Sequence, residues 1–389
     1  VRSFDTIVLG LGAMGSAAAY QLARRRNRVL GLDRFSPPHA YGSTHGDTRI
    51  TRQAIGEGEQ YTPLSLRSYE LWREIERETG TSLLTLTGGL IISSAEDRAT
   101  SHVAGFFENT IGAARKYGIR HDILGAPDIR RRFPQFVVQN NEVAYYEHEA
   151  GFLRPEACVA AQLSLAERYG AEIHRNEVVE EFTESNGRVL VRTHSGEYEA
   201  GRLIVSAGAW LPTLLARDDA KLFTVFRQVL VWLDIEGPIE PFLPGTFPVF
   251  IWELQNSAHG VYGFPAIDGP RGGLKIATEQ YEHSTTADSV VREVSDTEVS
   301  AFHDRLVAPR FPGLTGRCVK AVSCLYTVTP DSGFVIDTHP EYASVIVASP
   351  CSGHGFKHSA AIGEALAEIV IDGRSAIDLS HFGISRLVS

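Results

Sequence analysis

An apolar run that ends in three spaced glycines constrains this chain more than any other feature. In FDTIVLGLGAMG, residues 6–9 lead into Gly10, Gly12 and Gly15. An amphipathic helical pattern follows over 16–25, then a second apolar run over 29–32, closed by Asp33. Strand, glycine turn, helix, strand and acid in this order form the dinucleotide-binding fingerprint. Gly10 allows the tight turn, Gly12 lets a pyrophosphate approach the backbone, and Gly15 lets helix and strand pack closely. The first N–H groups of the helix suit an anion. Asp33, 23 residues after Gly10, can accept from ribose hydroxyls. The motif predicts nucleotide binding without separating FAD from NAD.

A length of 389 residues leaves room for two domains. The net charge of −10 argues against a nucleic-acid partner, which needs a basic face. The basic run Arg24-Arg25-Arg26 ends the first helix, where cations suit the dipole, and reads as a solvated helix end. No stretch approaches the roughly 20 apolar residues of a membrane span. The first strand starts within four residues of the first position, which predicts no signal peptide. The final residues, Arg386-Leu-Val-Ser389, do not form a peroxisomal address. Four cysteines, Cys158, Cys318, Cys324 and Cys351, lack CxxC spacing, which disfavours a zinc site or a disulfide scaffold. The expectation is a cytoplasmic enzyme with no metal.

The nucleotide domain cannot end soon after Asp33. Short continuous apolar runs at 171–175, 202–206 and 344–348 read as further buried parallel strands. Helical stretches at 156–169 and 359–371 accompany them. Between these pieces lie blocks with alternating runs at 89–92, 226–232, 260–264 and 273–276. Period-two alternation suits antiparallel strands with one wet face. The expectation is an α/β nucleotide domain in three pieces, 1–85, 151–215 and 322–389. A second, sheet-based domain, 86–150 and 216–321, would close over the cofactor and hold the substrate.

Three segments carry candidate chemistry. The first, residues 42–52, is GSTHGDTRITR. Gly42, Ser43 and Thr44 can offer donors to a phosphate. Arg49 and Arg52 lie three apart, on one face if the segment is helical, and an arginine fork suits carboxylate capture. The second, residues 323–337, places Cys324 and Tyr326 two apart, on the same side of a strand; Cys324 could equally be plain core. The third, residues 350–357, is PCSGHGFK, a glycine turn before a helix. Lys357 could point from it toward the nucleotide or into solvent.

GLGAMG, GSTHGDTRITR, YGFP with GLK, CLYTVTPDSGFVID and SGHGFK, in this order and spacing, resemble the monomeric sarcosine oxidase and N-methyltryptophan oxidase family of FAD-dependent amine oxidases. The resemblance runs over essentially the whole chain. It implies a glutathione-reductase-like FAD domain with a second, mixed-sheet substrate domain, α+β overall. It also implies a monomer that oxidises a secondary amine on an amino acid, sarcosine first, with O2 as acceptor. The imine product would hydrolyse, and hydrogen peroxide would form.

Carried over by motif, Cys324 matches the cysteine bonded to the flavin as an 8α-S-cysteinyl link, and Lys275 matches the lysine that promotes reaction with oxygen. Arg52 and Lys357 match the pair that binds the substrate carboxylate, and Tyr262 and Tyr326 the tyrosines lining its pocket. His45 and Arg49 match residues close to the flavin. Arg34, Gly353, Gly355 and Phe356 join the glycines, Asp33 and residues 42–44 as implied FAD contacts. Departures touch the substrate pocket: Thr44 replaces a histidine, and Thr278-Glu279 stand where the family carries another. The YGFP–GLK link is longer, and Cys351 replaces an apolar residue. They leave the amine class intact and open the choice between sarcosine, N-methyltryptophan and other secondary amino acids, cyclic or fructosyl. Rivals of other classes are an NAD-dependent dehydrogenase and a flavin-bearing subunit without catalysis.

Overall fold

The strands Arg2–Leu9 and Gly196–Val205 lie side by side and parallel, although almost 190 residues separate them. In the computed structural model, which describes residues 1–94, 103–254 and 260–388, they form the middle of an eight-stranded sheet. Val29–Asp33 and then Glu172–Arg175 extend it on one side, all parallel. Val345–Ser349 pairs parallel with Gly196–Val205 on the other. The chain therefore winds outward from Arg2–Leu9 in one direction and returns to wind in the other. Ligands of open α/β sheets bind outside the carboxyl ends of the strands at such a reversal. The helix Ala13–Arg24 covers this sheet and packs on Pro155–Arg168 and Ser359–Asp372. The last contact is close: a Cβ on Gly363 would lie 2.3 Å from the Ala17 Cβ.

A second sheet of nine strands follows the order Ser284–Thr285, Thr224–Ile235, Leu274–Thr278, Val261–Gly263, Val249–Trp252, Gly89–Ser94, Glu142–Glu147 and His121–Gly125. Leu314–Val328 pairs with Thr224–Ile235 along nearly its whole length. The sheet is mixed, because Val249–Trp252 runs parallel to Gly89–Ser94. A small sheet of Arg49–Thr51, Gly151–Leu153 and Leu84–Leu86 lies beside them.

Two sequence-based expectations differ from this arrangement. The alternating runs do not have a wet face. All six residues of Gly89–Ser94 are buried, with Leu90 and Ile92 in one apolar cluster and Ile91 in another. Alternation there sorts side chains between two cores rather than between core and water. The boundary at 321/322 also falls inside the unbroken strand Leu314–Val328, so Cys324 and Tyr326 belong to the second sheet. Among the described residues no helix is long and apolar enough to cross a membrane.

Two glycines in helices should respond oppositely to alanine. Gly363→Ala forces a methyl into Ala17 and should destabilise by about 1–3 kcal/mol, as overpacking does. Gly112, in Phe106–Lys116, has nothing within 4 Å of a Cβ, so Gly112→Ala should stabilise by about 0.5–1 kcal/mol. Denaturant unfolding of the two variants checks the signs.

Candidate active site

The turn after Arg2–Leu9 is fixed by contacts that exclude side chains. Gly10 has φ +84°, and a Cβ there would lie 2.5 Å from the Ser206 carbonyl oxygen. A Cβ on Gly15 would lie 1.8 Å from the Gly10 oxygen. At Gly12 it would meet only Thr44 Oγ1, at 3.6 Å. The start of the helix is thus sealed against the sheet at Gly15 and open to a cleft at Gly12. The cleft has an empty volume of about 1400 Å³. Gly10, Gly12, Asp33, Arg34, the segment 42–44, Gly353, Gly355 and Phe356 all line it. Gly15 stands behind its wall.

Asp33 closes the far side of the turn. Its Oδ2 accepts from the Leu11 amide and its Oδ1 from the Phe35 amide, each at 2.8 Å. Burial raises its pKa, and the two amides oppose that rise. Two polar atoms of cleft-lining residues, Ser43 Oγ and Arg34 Nε, are buried without a hydrogen-bond partner. Bare glycine backbone, a helix start, an acid and donor groups match what a dinucleotide needs.

A second cavity shares Arg49, Tyr326, Gly353 and Phe356 with the cleft. Arg52, Lys357 and Tyr262 also line it. Arg52 forms an ion pair with Glu57 Oε2, and its guanidinium stands 5.0 Å from the centre of the Phe106 ring. Lys357 Nζ donates to the His354 oxygen at 2.6 Å and lies 3.7 Å from Glu57 Oε1. Burial is the main force bringing the Lys357 pKa down to about 8; Glu57 opposes it and Arg52 adds to it. The Tyr262 and Tyr326 hydroxyls are 3.5 Å apart, and burial raises the pKa of both.

Arg49 and Arg52 do not share a helix face. Arg49–Thr51 is a strand, held by pairing with Gly151–Leu153, and Arg52 follows its end. Both still reach the second cavity, Arg49 while donating to the Thr48 oxygen at 2.8 Å and the Ser43 oxygen at 2.7 Å. Lys357 is buried and faces this cavity rather than solvent.

Three further predicted residues lie behind the cavity walls and line neither space. Lys275 Nζ donates to the oxygens of Gly46 and Thr48, at 2.7 and 2.8 Å, and to Thr48 Oγ1 at 3.2 Å. Burial and then Arg49 push its pKa well down. His45 is buried, and burial, Arg49 and Lys275 bring its pKa to about 3, so its ring is neutral. Cys324 is buried too; desolvation raises its pKa, while Arg49 and Lys275 pull it the other way. Cys351, by contrast, lines the cleft, and its Sγ accepts from the Thr327 amide at 3.3 Å.

Sequence reasoning missed Glu57; Glu279, which stands where the family carries a histidine at the substrate pocket, does line the cavity. The buried cations Arg52 and Lys357 demand a neighbouring acid, and Glu57, five residues after Arg52, was the signal available.

The family model described as FAD dependent oxidoreductase matches residues 5–369. The chain is 43% identical over 388 residues to a monomeric sarcosine oxidase of Streptomyces avermitilis, covering 100% of this chain and 98% of that protein. It is 35% identical over 385 residues to an N-methyl-L-tryptophan oxidase of Yersinia pestis, covering 98% and 99%. Its fold matches NikD, an unusual amino acid oxidase essential for nikkomycin biosynthesis, with a TM-score of 0.82, 22% identity and 98% of each chain covered. The chain belongs to the FAD-dependent oxidoreductase family, as its resemblance implied. FAD is therefore the cofactor between the two that the fingerprint allowed.

Filling the cleft without disturbing the fold tests the FAD assignment. A side chain at Gly12 meets no backbone. Gly12→Val should keep the circular dichroism of the wild type and lose most of the bound flavin. The flavin-to-protein absorbance ratio after purification measures this.

Proposed function

We propose that this member of the FAD-dependent oxidoreductase family oxidises the N-alkyl group of a secondary α-amino acid, sarcosine being the simplest, with O2 as electron acceptor. The observation that carries this reading is the meeting of Arg52 and Lys357 in a cavity that shares a wall with the nucleotide cleft. The two residues are about 300 positions apart in the chain. Two cations at one small site select an anion, and a guanidinium suits a carboxylate. The names of the relatives support the amine class, and also a monomer. We read the enzyme as cytoplasmic.

Bound FAD would supply the two-electron acceptor. The protein would do the placing. Arg52 and Lys357 would hold the carboxylate and so fix the direction of the adjacent N–C bond. Tyr262 and Tyr326 would close the site over the amine. Phe106, Ile251, Phe264 and Phe356 would keep water away from the reacting atoms. Lys275 Nζ, held by the oxygens of Gly46 and Thr48 near the shared wall, would supply a positive charge in its protonated form, which burial and Arg49 disfavour and those acceptors favour. Such a charge favours the reduction of oxygen to peroxide, and Lys275→Met should slow oxygen consumption at saturating amine. The imine released would hydrolyse to an aldehyde and the amino acid.

The cavity's aromatic lining also favours a second reading, a secondary amino acid bulkier than sarcosine. We assign the three-piece division of the chain to cofactor and substrate halves, with Leu314–Val328 contributing to the second.

We further propose that FAD is bonded to Cys324. The support is the match of its motif to the family's flavin-bearing cysteine and its place beside Arg49 and Lys275, whose charges offset part of the rise that burial gives its pKa. Acid precipitation should leave the yellow colour in the pellet, and Cys324→Ser should release it. Colour kept by Cys324→Ser and lost from Cys351→Ser would move the attachment to Cys351.

The substrate reading is tested by peroxide release across N-methyl amino acids and the matching N-methyl amines without a carboxylate. Equal rates for both sets would refute it. Losing a charged hydrogen bond costs roughly 1.5–3 kcal/mol, so Arg52→Ala should weaken binding of small carboxylates by at least about tenfold. In the wild type, this affinity should fall as pH rises through about 8, where Lys357 loses its proton. Lys357→Met should remove that pH dependence.

A further inference from the structure

The loop of residues 46–48 is gripped by charges of opposite sign. Lys275 Nζ donates to the oxygens of Gly46 and Thr48 and to Thr48 Oγ1. Glu156 Oε1 accepts from the Gly46 amide at 2.6 Å and from the Asp47 amide at 3.1 Å. Glu156 stands in the first turn of the helix Pro155–Arg168. Asp47 Oδ2 accepts from Lys320 Nζ at 2.7 Å. Gly46 and Asp47 both have left-handed φ, +96° and +69°. That is a strained choice for Asp47, which these bonds hold.

The peptide between Gly46 and Asp47 joins the two charges. A trans peptide points its N–H and its C=O in opposite directions. Here the N–H meets the Glu156 carboxylate and the C=O meets Lys275 Nζ. Carboxylate and ammonium thus sit at the two ends of one peptide dipole, where each strengthens the other's bond.

Lys275 needs that support, because burial and then Arg49 disfavour its charge. The Phe264 and Trp232 rings, with centres 4.4 and 5.4 Å from Nζ, favour the cation. Lys320 stands over the same Trp232 ring but is matched by Asp47, and His45 is neutral. Three groups oppose the loss of charge: Cys324 as a thiolate, Asp47 and Glu156. A Cys324 bonded to flavin is a thioether without charge, which leaves the two carboxylates.

We propose that Glu156 and Asp47 are positioning residues for the oxygen step: they fix the peptide that grips Lys275 and supply the negative charge that keeps it an ammonium. This rests on reading Lys275 as the group that promotes reaction with oxygen. Oxygen takes two electrons from the reduced cofactor and two protons, and leaves as hydrogen peroxide. Its first electron makes it an anion, which a nearby cation stabilises.

The geometry lets charge be separated from structure. One oxygen of Glu156 accepts both amides, so Glu156→Gln keeps both bonds and loses only the charge. Asparagine tolerates left-handed φ, so Asp47→Asn does the same. The chain has five lysines, so an NMR titration of the holoenzyme labelled at lysine 13Cε can follow Lys275, identified by the signal missing from Lys275→Met. In each amide variant Lys275 should titrate about one pH unit lower, the scale of two charges roughly 10 Å apart at an effective dielectric near 20. In rapid mixing of the reduced enzyme with O2, reoxidation should slow about tenfold above both titration points. It should return to the wild-type rate at low pH, which a structural defect would not do. Flavin content and anaerobic reduction by amine should not change, and Glu156→Gln should add nothing in a Lys275→Met background. A Lys275 that is neutral in the wild type, or whose titration is the same in both amide variants, overturns the proposal. Reoxidation unchanged in Lys275→Met overturns the oxygen reading instead, whatever the lysine signal does.

Discussion

Arg52, Glu57 and Lys357 put three charged side chains in one place, each no more than 6% exposed. Burying a charge costs several kcal/mol unless it is paired. Within the trio one carboxylate faces two cations, so the trio itself carries a net positive charge, on which Glu279 in the same cavity and the buried Glu147 also act. That imbalance ties fold to chemistry. The chain must bring the loop after Arg49–Thr51 to the turn Phe356–His358 before either charge is tolerable. Once it does, the site favours an anion and disfavours a neutral or cationic group at that end.

The meeting depends on a seam between the two sheets. Leu314–Val328 is anchored in the second sheet by its long pairing with Thr224–Ile235. Its last residues reach toward the first sheet. The Ser352 amide donates to the Thr327 oxygen at 2.9 Å, and the Cys351 Sγ accepts from the Thr327 amide. Ser352 Oγ donates to the Gly333 oxygen at 3.0 Å. These bonds lock the loop after Val345–Ser349 to the end of the long strand. Tyr326 can then line both spaces at once, and Lys357 enters from the following turn. The two cavities share a wall because one strand end and one loop build it.

What was legible in the sequence was short-range. The three glycines of the first turn are explained by contacts that a Cβ would violate, and such contacts follow from local spacing. The central parallel strands were legible because their burial on both faces leaves continuous apolar runs; Glu172–Arg175, expected to be buried as well, is a half-buried polar strand at the sheet's edge. Long-range pairing was not. Arg49 and Arg52 have helical spacing, but Gly151–Leu153 claims the backbone as a strand partner. Gly89–Ser94 alternates, but a second apolar cluster covers the face expected to be wet. The acceptors of Lys275, Gly46 and Thr48, lie more than 220 residues before it. No local pattern states that a lysine on an apolar strand will find three oxygens there. Tertiary context overrides local preference in each case.

The same burial that makes the site selective sets two opposed pH slopes. The folded-state pKa of Lys357, about 8, lies below its ordinary value of 10.5. Between those values the unfolded chain binds more protons than the folded one, so stability rises with pH across that window. The cost of carrying the buried ammonium is thus present below about pH 8, on the order of 3 kcal/mol from a shift of this size. Anion capture has the opposite sign, because it needs the ammonium. His45, with its pKa near 3, is neutral throughout and adds to neither slope. The enzyme is therefore least relieved of strain where its carboxylate site is most complete. A bound carboxylate, which supplies a negative charge, reconciles the two by stabilising the protonated site it requires.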